Sequence, residues 1–297
     1  MKIILDNRLI GNIVCIIMKH NKTTDAILTS SILFLLSGAG LALEVSLTRL
    51  FSFIFTHSYV YIVISVSMAG LGLGAVLMRL ITHRIRTALL PWIAPVPAAL
   101  GILLLIIAHL QGGVLISISS AFLIFFALGM FQLTIFQESQ IRSGALYAAD
   151  LTGAAAGSII TFLLLNAAGA VTATIVATAV ISTACLLAVY RFYRKGLIAA
   201  GLILAVAVTG FIFSGQVSLM PRESLGKEMT RMLQDSEKSP EIVETRWTAF
   251  GRVDLVETDN PLFKTMFIDG AAGTKMISMP GGQVTRETAE TLLYQYM

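Results

Sequence analysis

Residues 146–169 read Leu-Tyr-Ala-Ala-Asp-Leu-Thr-Gly-Ala-Ala-Ala-Gly-Ser-Ile-Ile-Thr-Phe-Leu-Leu-Leu-Asn-Ala-Ala-Gly, an apolar stretch long enough to cross a lipid bilayer as a helix. It carries one carboxylate, Asp150, near its start. Gly153 and Gly157 follow three and seven residues later, so all three residues share one helical face. Small residues at this spacing allow a neighbouring backbone to approach closely. The stretch therefore predicts a membrane helix that packs through Gly153 and Gly157.

Two interpretations of Asp150 are open from the sequence. A charged carboxylate at the centre of a bilayer costs about 2.5–3.5 kcal/mol, so Asp150 is expected to face protein or trapped water. Alternatively, it lies in the interface and caps the start of the helix. The sequence gives the two interpretations about equal weight.

The composition of the whole chain is typical of a membrane protein. Hydrophobic residues make up 56% of the 297 residues, charged residues 13%, and the mean hydropathy is +0.82. Residues 1–214 hold 12 Lys and Arg against 5 Asp and Glu, whereas residues 215–297 hold 9 against 12. The basic residues thus flank apolar segments, and no basic cluster with interleaved aromatic residues indicates nucleic-acid binding. The expected partner is the lipid bilayer.

The order of apolar and polar segments predicts a mainly α fold, a polytopic membrane helix bundle followed by a small β-rich soluble domain. The predicted parts are a weakly structured N-terminal tail (1–25), the transmembrane helix bundle (26–214), a linker with one short amphipathic helix (215–240) and the β-rich domain (241–297). About seven spans are predicted, at 27–52, 58–81, 89–109, 113–136, 145–167, 170–190 and 196–214.

Alternating apolar residues predict the strands of the last part. Residues 244–257 are expected to form one strand run, in which Gly251 marks a bulge or bend. The runs 264–268 and 274–278 are expected to pair as a hairpin. Residues 285–297 suit a helix.

The distribution of basic residues predicts the orientation. With seven spans, eleven Lys and Arg residues fall on one side of the membrane and only Arg49 falls on the other. Because basic loops stay in the cytoplasm, the N-terminus is expected to be cytoplasmic in the cell membrane. Seven crossings then place residues 215–297 outside.

Three ionisable residues inside the predicted spans are candidates for a polar site between helices: Glu44, Arg49 and Asp150, with His57 nearby in the sequence. Glu44 and Arg49 are five residues apart, so they face different directions and need not pair. In an equally weighted alternative, Arg49 reaches the interface and Glu44 bonds to a neighbouring Ser or Tyr.

A glycine run, Gly70-Leu71-Gly72-Leu73-Gly74, lies inside the second span. A nucleotide-binding loop would need a preceding strand, so Gly70 and Gly74 instead indicate close helix packing. Residues 215–297 contain neither His nor Cys, which excludes a Cys/His dyad or a His-based triad within them. No catalytic residue and no metal-ligand set is assigned.

Several stretches resemble the multi-pass membrane spermidine synthase-like proteins, in which membrane helices precede a polyamine aminopropyltransferase-type domain. They are Leu-Ser-Gly-Ala-Gly-Leu-Ala-Leu-Glu-Val-Ser-Leu-Thr-Arg-Leu (36–50), the glycine run, and Leu-Tyr-Ala-Ala-Asp-Leu-Thr-Gly-Ala-Ala-Ala-Gly (146–157). Trp-Thr-Ala-Phe-Gly-Arg-Val-Asp-Leu-Val-Glu (247–257) and Phe-Ile-Asp-Gly-Ala-Ala-Gly-Thr (267–274) are similar to the small N-terminal β-domain of spermidine synthases. The resemblance covers about residues 27–297.

This resemblance implies polyamine biosynthesis by aminopropyl transfer from decarboxylated S-adenosylmethionine to a diamine, so that a polyamine or another small molecule is an expected partner. The family's α/β catalytic domain, whose glycine-rich turn holds that donor, is not found after Tyr294. The chain is therefore expected to be a fragment that is inactive by itself and has no cofactor of its own. Of the family's substrate-binding residues only Tyr294 carries over, and Gly273 stands where the family has Gln.

A second class of function is also consistent with the sequence. The helices would form a membrane transport or small-solute binding module that uses Glu44, Arg49 and Asp150, with the β-rich part as an accessory. The sequence leaves the substrate and the oligomeric state open.

Overall fold

The computed structural model describes residues 7–110, 113–193, 226–235, 239–258 and 263–277. The described helices are α1 (Asn7–Ile54), α2 (Tyr59–Leu80), α3 (His83–Ile93), α4 (Val96–His109), α5 (Val114–Glu138), α6 (Ser143–Tyr193) and α7 (Glu228–Leu233). The described strands are β1 (Glu241–Trp247), β2 (Arg252–Glu257), β3 (Phe263–Ile268) and β4 (Ala272–Ile277).

Five helical segments among the described residues are long and apolar enough to cross a membrane: Asp25–Ile54, Tyr59–Leu80, His83–His109, Val114–Glu138 and Ser143–Phe192. This confirms a mainly helical fold with membrane-spanning character. The expected number of about seven spans is not shown: the fifth segment, Ser143–Phe192, contains both predicted spans 145–167 and 170–190, which meet at the non-helical residue Gly169. The predicted span 196–214 lies outside the described residues.

Helix α6 doubles back at Gly169, whose φ of 80° favours glycine. In its first leg (143–168), Gly153 faces Phe34 and Gly157 faces Gly38, so this leg runs parallel to α1. In its second leg (170–193), Arg191 forms an ion pair at 2.9 Å with Asp25, which is closer to the start of α1 than Phe34 is. The second leg therefore runs back along α1, and α6 follows the bundle twice.

The bundle has two chemically different ends. The first, called here the arginine end, carries Arg79, Arg84, Arg86, Arg142 and Arg191 at helix ends or in loops. There Arg86 Nη1 donates to Glu138 Oε1 at 3.2 Å and joins α3 to α5. The opposite end, called the sheet end, contains the turn between α1 and α2 and the reversal at Gly169, where Trp247 of β1 packs.

Close packing of parallel helices forms the core of the bundle. A Cβ at Gly157 would lie 2.2 Å from the carbonyl oxygen of Gly38, and one at Gly153 would lie 2.3 Å from that of Phe34. Helices α2 and α5 approach in the same way, because a Cβ at Gly74 would lie 2.1 Å from the carbonyl oxygen of Phe126. Gly70 faces α5 one turn earlier, with a Cβ 2.8 Å from the Phe122 oxygen. The four glycines thus lie at helix–helix contacts.

The strands form one antiparallel sheet in the order β1-β2-β3-β4. The predicted hairpin between β3 and β4 is confirmed, with Ile268 opposite Ala272. The single run expected over 244–257 is wrong, because it is two strands joined by a tight turn at residues 248–251. The hydroxyl of Thr248 accepts hydrogen bonds from two amides of that turn, which reverses the chain. Gly251 lies at the end of this turn, which agrees with the expected bend, whereas the register shift of the sheet lies between Ile242 and Glu244.

Two boundaries also differ from the expected ones. Helix α1 begins at Asn7, so most of the segment 1–25, expected to be weakly structured, continues the first span as helix. Adding residues to an existing helix needs no new nucleation, which favours this extension. The short helix expected in the linker corresponds to α7. The helix expected at 285–297 lies outside the described residues.

Candidate functional site

A cluster of polar side chains lies between three membrane helices. The hydroxyl of Ser37 on α1 donates to the carboxylate of Asp150 on α6. Gln132 on α5 donates through Nε2 to the Ser37 oxygen at 3.3 Å. Ser37 is buried, whereas Asp150 and Gln132 are partly buried. We call these three residues the polar cluster.

The position of Asp150 decides between its two interpretations. Helix α6 begins at Ser143, well before Asp150, so Asp150 does not cap the helix start. Its carboxylate instead faces α1, where it accepts the Ser37 hydrogen bond. The helix packing that brings Gly153 and Gly157 against α1 also places Asp150 there, since the three share one face.

Glu44 lies two helical turns beyond Ser37 on the same face of α1, about 10 Å along the axis. Its side chain is hydrogen-bonded to Ser67 of α2 and half-buried. The structure therefore places Glu44 and Asp150 along one polar line of α1, each with its own hydroxyl partner. The two carboxylates do not contact each other.

Arg49 is not part of this line. It points toward the sheet, where its Nη1 donates to the backbone oxygen of Phe250 at 3.3 Å. Its Nε is buried and has no hydrogen-bond partner among the described residues. His57 is exposed in the turn between α1 and α2. The proposed grouping of Glu44, Arg49 and Asp150 is thus divided between two places.

A second set of polar groups joins the sheet to the end of α1. Lys227 donates through Nζ to the backbone oxygens of Ser52 at 2.7 Å, Phe53 at 2.6 Å and Asp269 at 2.7 Å. Carbonyls in the last turn of a helix have no partner within the helix, and a cation there is favoured by the helix dipole. The Lys227 ammonium donates hydrogen bonds to two of these carbonyls and places a positive charge beside them. It therefore caps the C-terminal end of α1.

The environment of Lys227 changes its titration. Lys227 is 6% exposed, and this burial lowers its pKa to about 8, although the nearby carboxylate of Asp269 opposes the shift. The ammonium therefore remains charged at neutral pH while it holds two segments together.

Asp269 connects the sheet to the same end of α1. Its Oδ2 accepts a hydrogen bond from the Ser52 hydroxyl at 2.8 Å, and its Oδ1 accepts one from the Arg252 amide at 2.9 Å. Asp269 and Gly270 have φ angles of 49° and 70°, which form the tight turn between β3 and β4. Both carboxylate oxygens of Asp269 are thus engaged within the protein.

A buried ion pair lies next to these contacts. Arg252 Nη2 lies 2.7 Å from Asp254 Oδ1, and Asp254 is fully buried. The Arg252 guanidinium lies 4.2 Å from the centroid of the Phe53 ring, and Phe53 contacts Trp247 edge to face at 5.7 Å. Breaking such a pair by removing one partner is costly, because a buried charge stays behind. We call Lys227, Asp269, Arg252 and Asp254 the joint.

The sequence did not reveal the joint. From the sequence, Asp254 is explained as a solvated strand position and Asp269 as a turn residue; the structure shows that Asp254 is buried, and that Asp269 is a turn residue whose carboxylate also binds Ser52 of α1. One signal was present: Arg252, Asp254 and Val256 alternate on one strand face, and Val256 is apolar. A period of two predicts that all three point inward.

Tyr294, the position carried over from the family resemblance, lies outside the described residues. Within the described ranges, no group of three or more His, Cys, Asp or Glu side chains could hold a metal ion. Comparison of the chain with protein-family models, with curated proteins and with solved structures finds no match.

Proposed function

We propose that this chain is the membrane part of a spermidine synthase-like protein, in which the helix bundle holds the small sheet for aminopropyl transfer. One observation carries the proposal. The segment 267–274, which resembles spermidine synthases, contains the Asp269 turn that Lys227 and Ser52 attach to α1. One residue of the resembling segment, Asp269, thus takes part in attaching the sheet to α1.

The implied reaction needs two molecules in line. An amine nitrogen attacks the carbon beside the sulfonium of decarboxylated S-adenosylmethionine, the carbon–sulfur bond breaks toward sulfur, and the new secondary amine releases a proton. The by-product is the thioether 5′-methylthioadenosine. Holding donor and acceptor in line can lower the barrier of such a transfer by about 7–11 kcal/mol. The described residues contribute placement, and we assign donor binding to parts of the protein beyond them.

In this chain, Gly273 occupies the position at which the family has Gln. A Cβ at Gly273 would lie 2.8 Å from the Phe267 ring and 3.1 Å from the Glu228 carboxyl group. The Gly273 amide donates to Glu228 Oε2 at 3.1 Å. A carboxylate thus stands beside the site of the missing amide side chain, and carboxylates attract ammonium groups. This supports an amine substrate while leaving its identity to experiment.

We also propose seven crossings of the cell membrane, with a cytoplasmic N-terminus and an external sheet. The basic residues support the orientation, since they collect at the arginine end. The described chain leaves the bundle at the arginine end, at Arg191, and resumes at Gly226 beside the sheet end. The apolar stretch 196–214 is the proposed seventh crossing.

The test is the release of 5′-methylthioadenosine by membranes that contain the gene product expressed from its own locus. We expect release that depends on both decarboxylated S-adenosylmethionine and an added diamine. Lys227→Met should reduce it by displacing the sheet, whereas Glu44→Gln, deep in the bundle, should not. Release no higher than in membranes from cells lacking the gene contradicts the proposal.

The polar cluster favours a second candidate function, a binding or transport module for a small solute. Its support is the convergence of Ser37, Gln132 and Asp150 from three helices. In proteoliposomes, Asp150→Asn should abolish uptake of a transported solute, and Arg86→Lys at the arginine end should leave it unchanged. Uptake unaffected by Asp150→Asn contradicts this function.

A further inference from the structure

The turn between β1 and β2, residues 248–251, touches the membrane helices at two points. The backbone oxygen of Phe250 accepts a hydrogen bond from Arg49 of α1 at 3.3 Å. The amide of Ala249 donates to Asn166 Oδ1 of α6 at 3.2 Å. Both contacts are separate from the joint at Lys227.

These two contacts give the depth of the turn. Arg49 lies five residues before Ile54, the last residue of α1, which corresponds to about 7 Å along the axis. Asn166 lies three residues before the reversal at Gly169, which corresponds to about 4 Å. Because asparagine has a short side chain, the Asn166 contact places the Ala249 amide beside the last turn of the first leg of α6 and not above the bundle.

Phe250, in the same turn, is an exposed apolar residue close to the bundle. Phe250 is 79% exposed, although it is a large aromatic residue. In the turns of α6 that precede Asn166, the outer face presents the exposed residues Ile159, Phe162 and Leu163. In a helix of a membrane bundle, an exposed apolar face of this kind contacts lipid. Phe250 directly follows Ala249, whose amide is bonded to Asn166 of this helix.

We propose that the β1–β2 turn enters the interfacial layer of the same bilayer and that Phe250 inserts among the lipids. At the boundary between headgroups and acyl chains, an apolar side chain such as Phe can be buried while backbone polar groups stay hydrogen-bonded. The backbone of the turn meets that condition through Arg49 and Asn166. The lipid contact is a second attachment of the sheet, and with the joint it fixes the tilt of the sheet against the membrane.

The experiment places a nitroxide spin label at single cysteines in the full chain, reconstituted in phosphatidylcholine vesicles, with Cys15 and Cys185 replaced by Ala. The test position is Phe250→Cys. Ile160→Cys on the exposed face of α6 is the lipid control, and Val243→Cys, 50% exposed on β1, is the water control. Power saturation measures collisions with oxygen, which concentrates in lipid, and with a nickel chelate, which stays in water.

We expect the Phe250 label to resemble the Ile160 label, with oxygen collisions several-fold above nickel collisions, and the Val243 label to show the reverse. Nickel collisions at Phe250 equal to those at Val243 would place the turn in water and overturn the proposal. Few collisions with either reagent would indicate a protein contact, such as a second copy of the chain, and would also overturn it. Phe250→Trp retains an aromatic ring and gives an independent measurement, since brominated lipids should quench more fluorescence than in the parent chain.

Discussion

Replacement of Gly157 by a larger residue should separate α1 from the first leg of α6. An added Cβ would lie 2.2 Å from the Gly38 oxygen and 2.5 Å from its Cα, whereas ordinary contact begins near 3.4 Å. The shortfall of 1.2 Å must come from movement of one helix, because both opposing atoms are backbone. A radial gap of about 0.5–1 Å already forfeits a quarter to a half of the dispersion energy of the atoms that it separates.

The expected cost follows from that displacement. Overpacking a well-packed core typically costs about 1–3 kcal/mol. Gly157→Ala should therefore lower the free energy of unfolding by about 2 kcal/mol, because only the backbone clash acts. Gly157→Leu should lower it by about 4 kcal/mol or more, because the rest of the side chain must also be accommodated between the helices.

The assay is reversible unfolding of the purified chain in mixed micelles by increasing mole fractions of dodecyl sulfate, followed by circular dichroism. Two neighbouring substitutions serve as controls. Ala155 is exposed, so Ala155→Leu should change the free energy of unfolding by about 0.5 kcal/mol or less. Ala156 borders an apolar cavity of about 170 Å³ between α1 and the two legs of α6, so Ala156→Leu should cost less than Gly157→Leu. Equal midpoints for Gly157→Leu and Ala155→Leu would refute the close-packed contact.

Three further predictions concern the joint, the membrane and the orientation. Because burial lowers the pKa of Lys227 to about 8 from 10.5, the unfolded chain binds this proton more tightly; stability should therefore rise between pH 8 and 10.5, by up to about 3 kcal/mol. Thermal unfolding at pH 7.5 and 9.5 checks this, and an equal rise in Lys227→Met would contradict the assignment to Lys227. Alkaline carbonate should leave the chain in the membrane pellet, and its release into the supernatant without detergent would argue against membrane-spanning helices. A reporter active only in the cytoplasm, fused after Met297, should be inactive if the sheet is external, and strong activity would show that the number of crossings is wrong.

Much of the bundle follows from local sequence. A run of apolar residues must avoid water, and in a membrane its backbone must satisfy its own hydrogen bonds, so each long run predicts a helix without knowledge of its neighbours. Small residues at helical spacing, as at Gly153 and Gly157, predict which face will approach another helix. The hairpin of β3 and β4 follows for the same reason, since its alternation and its Asp269-Gly270 turn are adjacent in sequence.

The tertiary structure decided which polar groups meet. Ser37 and Asp150 are 113 positions apart, and Lys227 lies 175 positions from Ser52, so no local pattern relates them. The division of Glu44 and Arg49 between two places also depends on the neighbours of each face of α1. The sequence divides this stretch into two spans near Gly169, but only the Asp25–Arg191 contact shows that the second leg returns along α1. Hydropathy and helical period act within a segment, whereas the partner of a buried charge depends on the packing of segments distant in sequence.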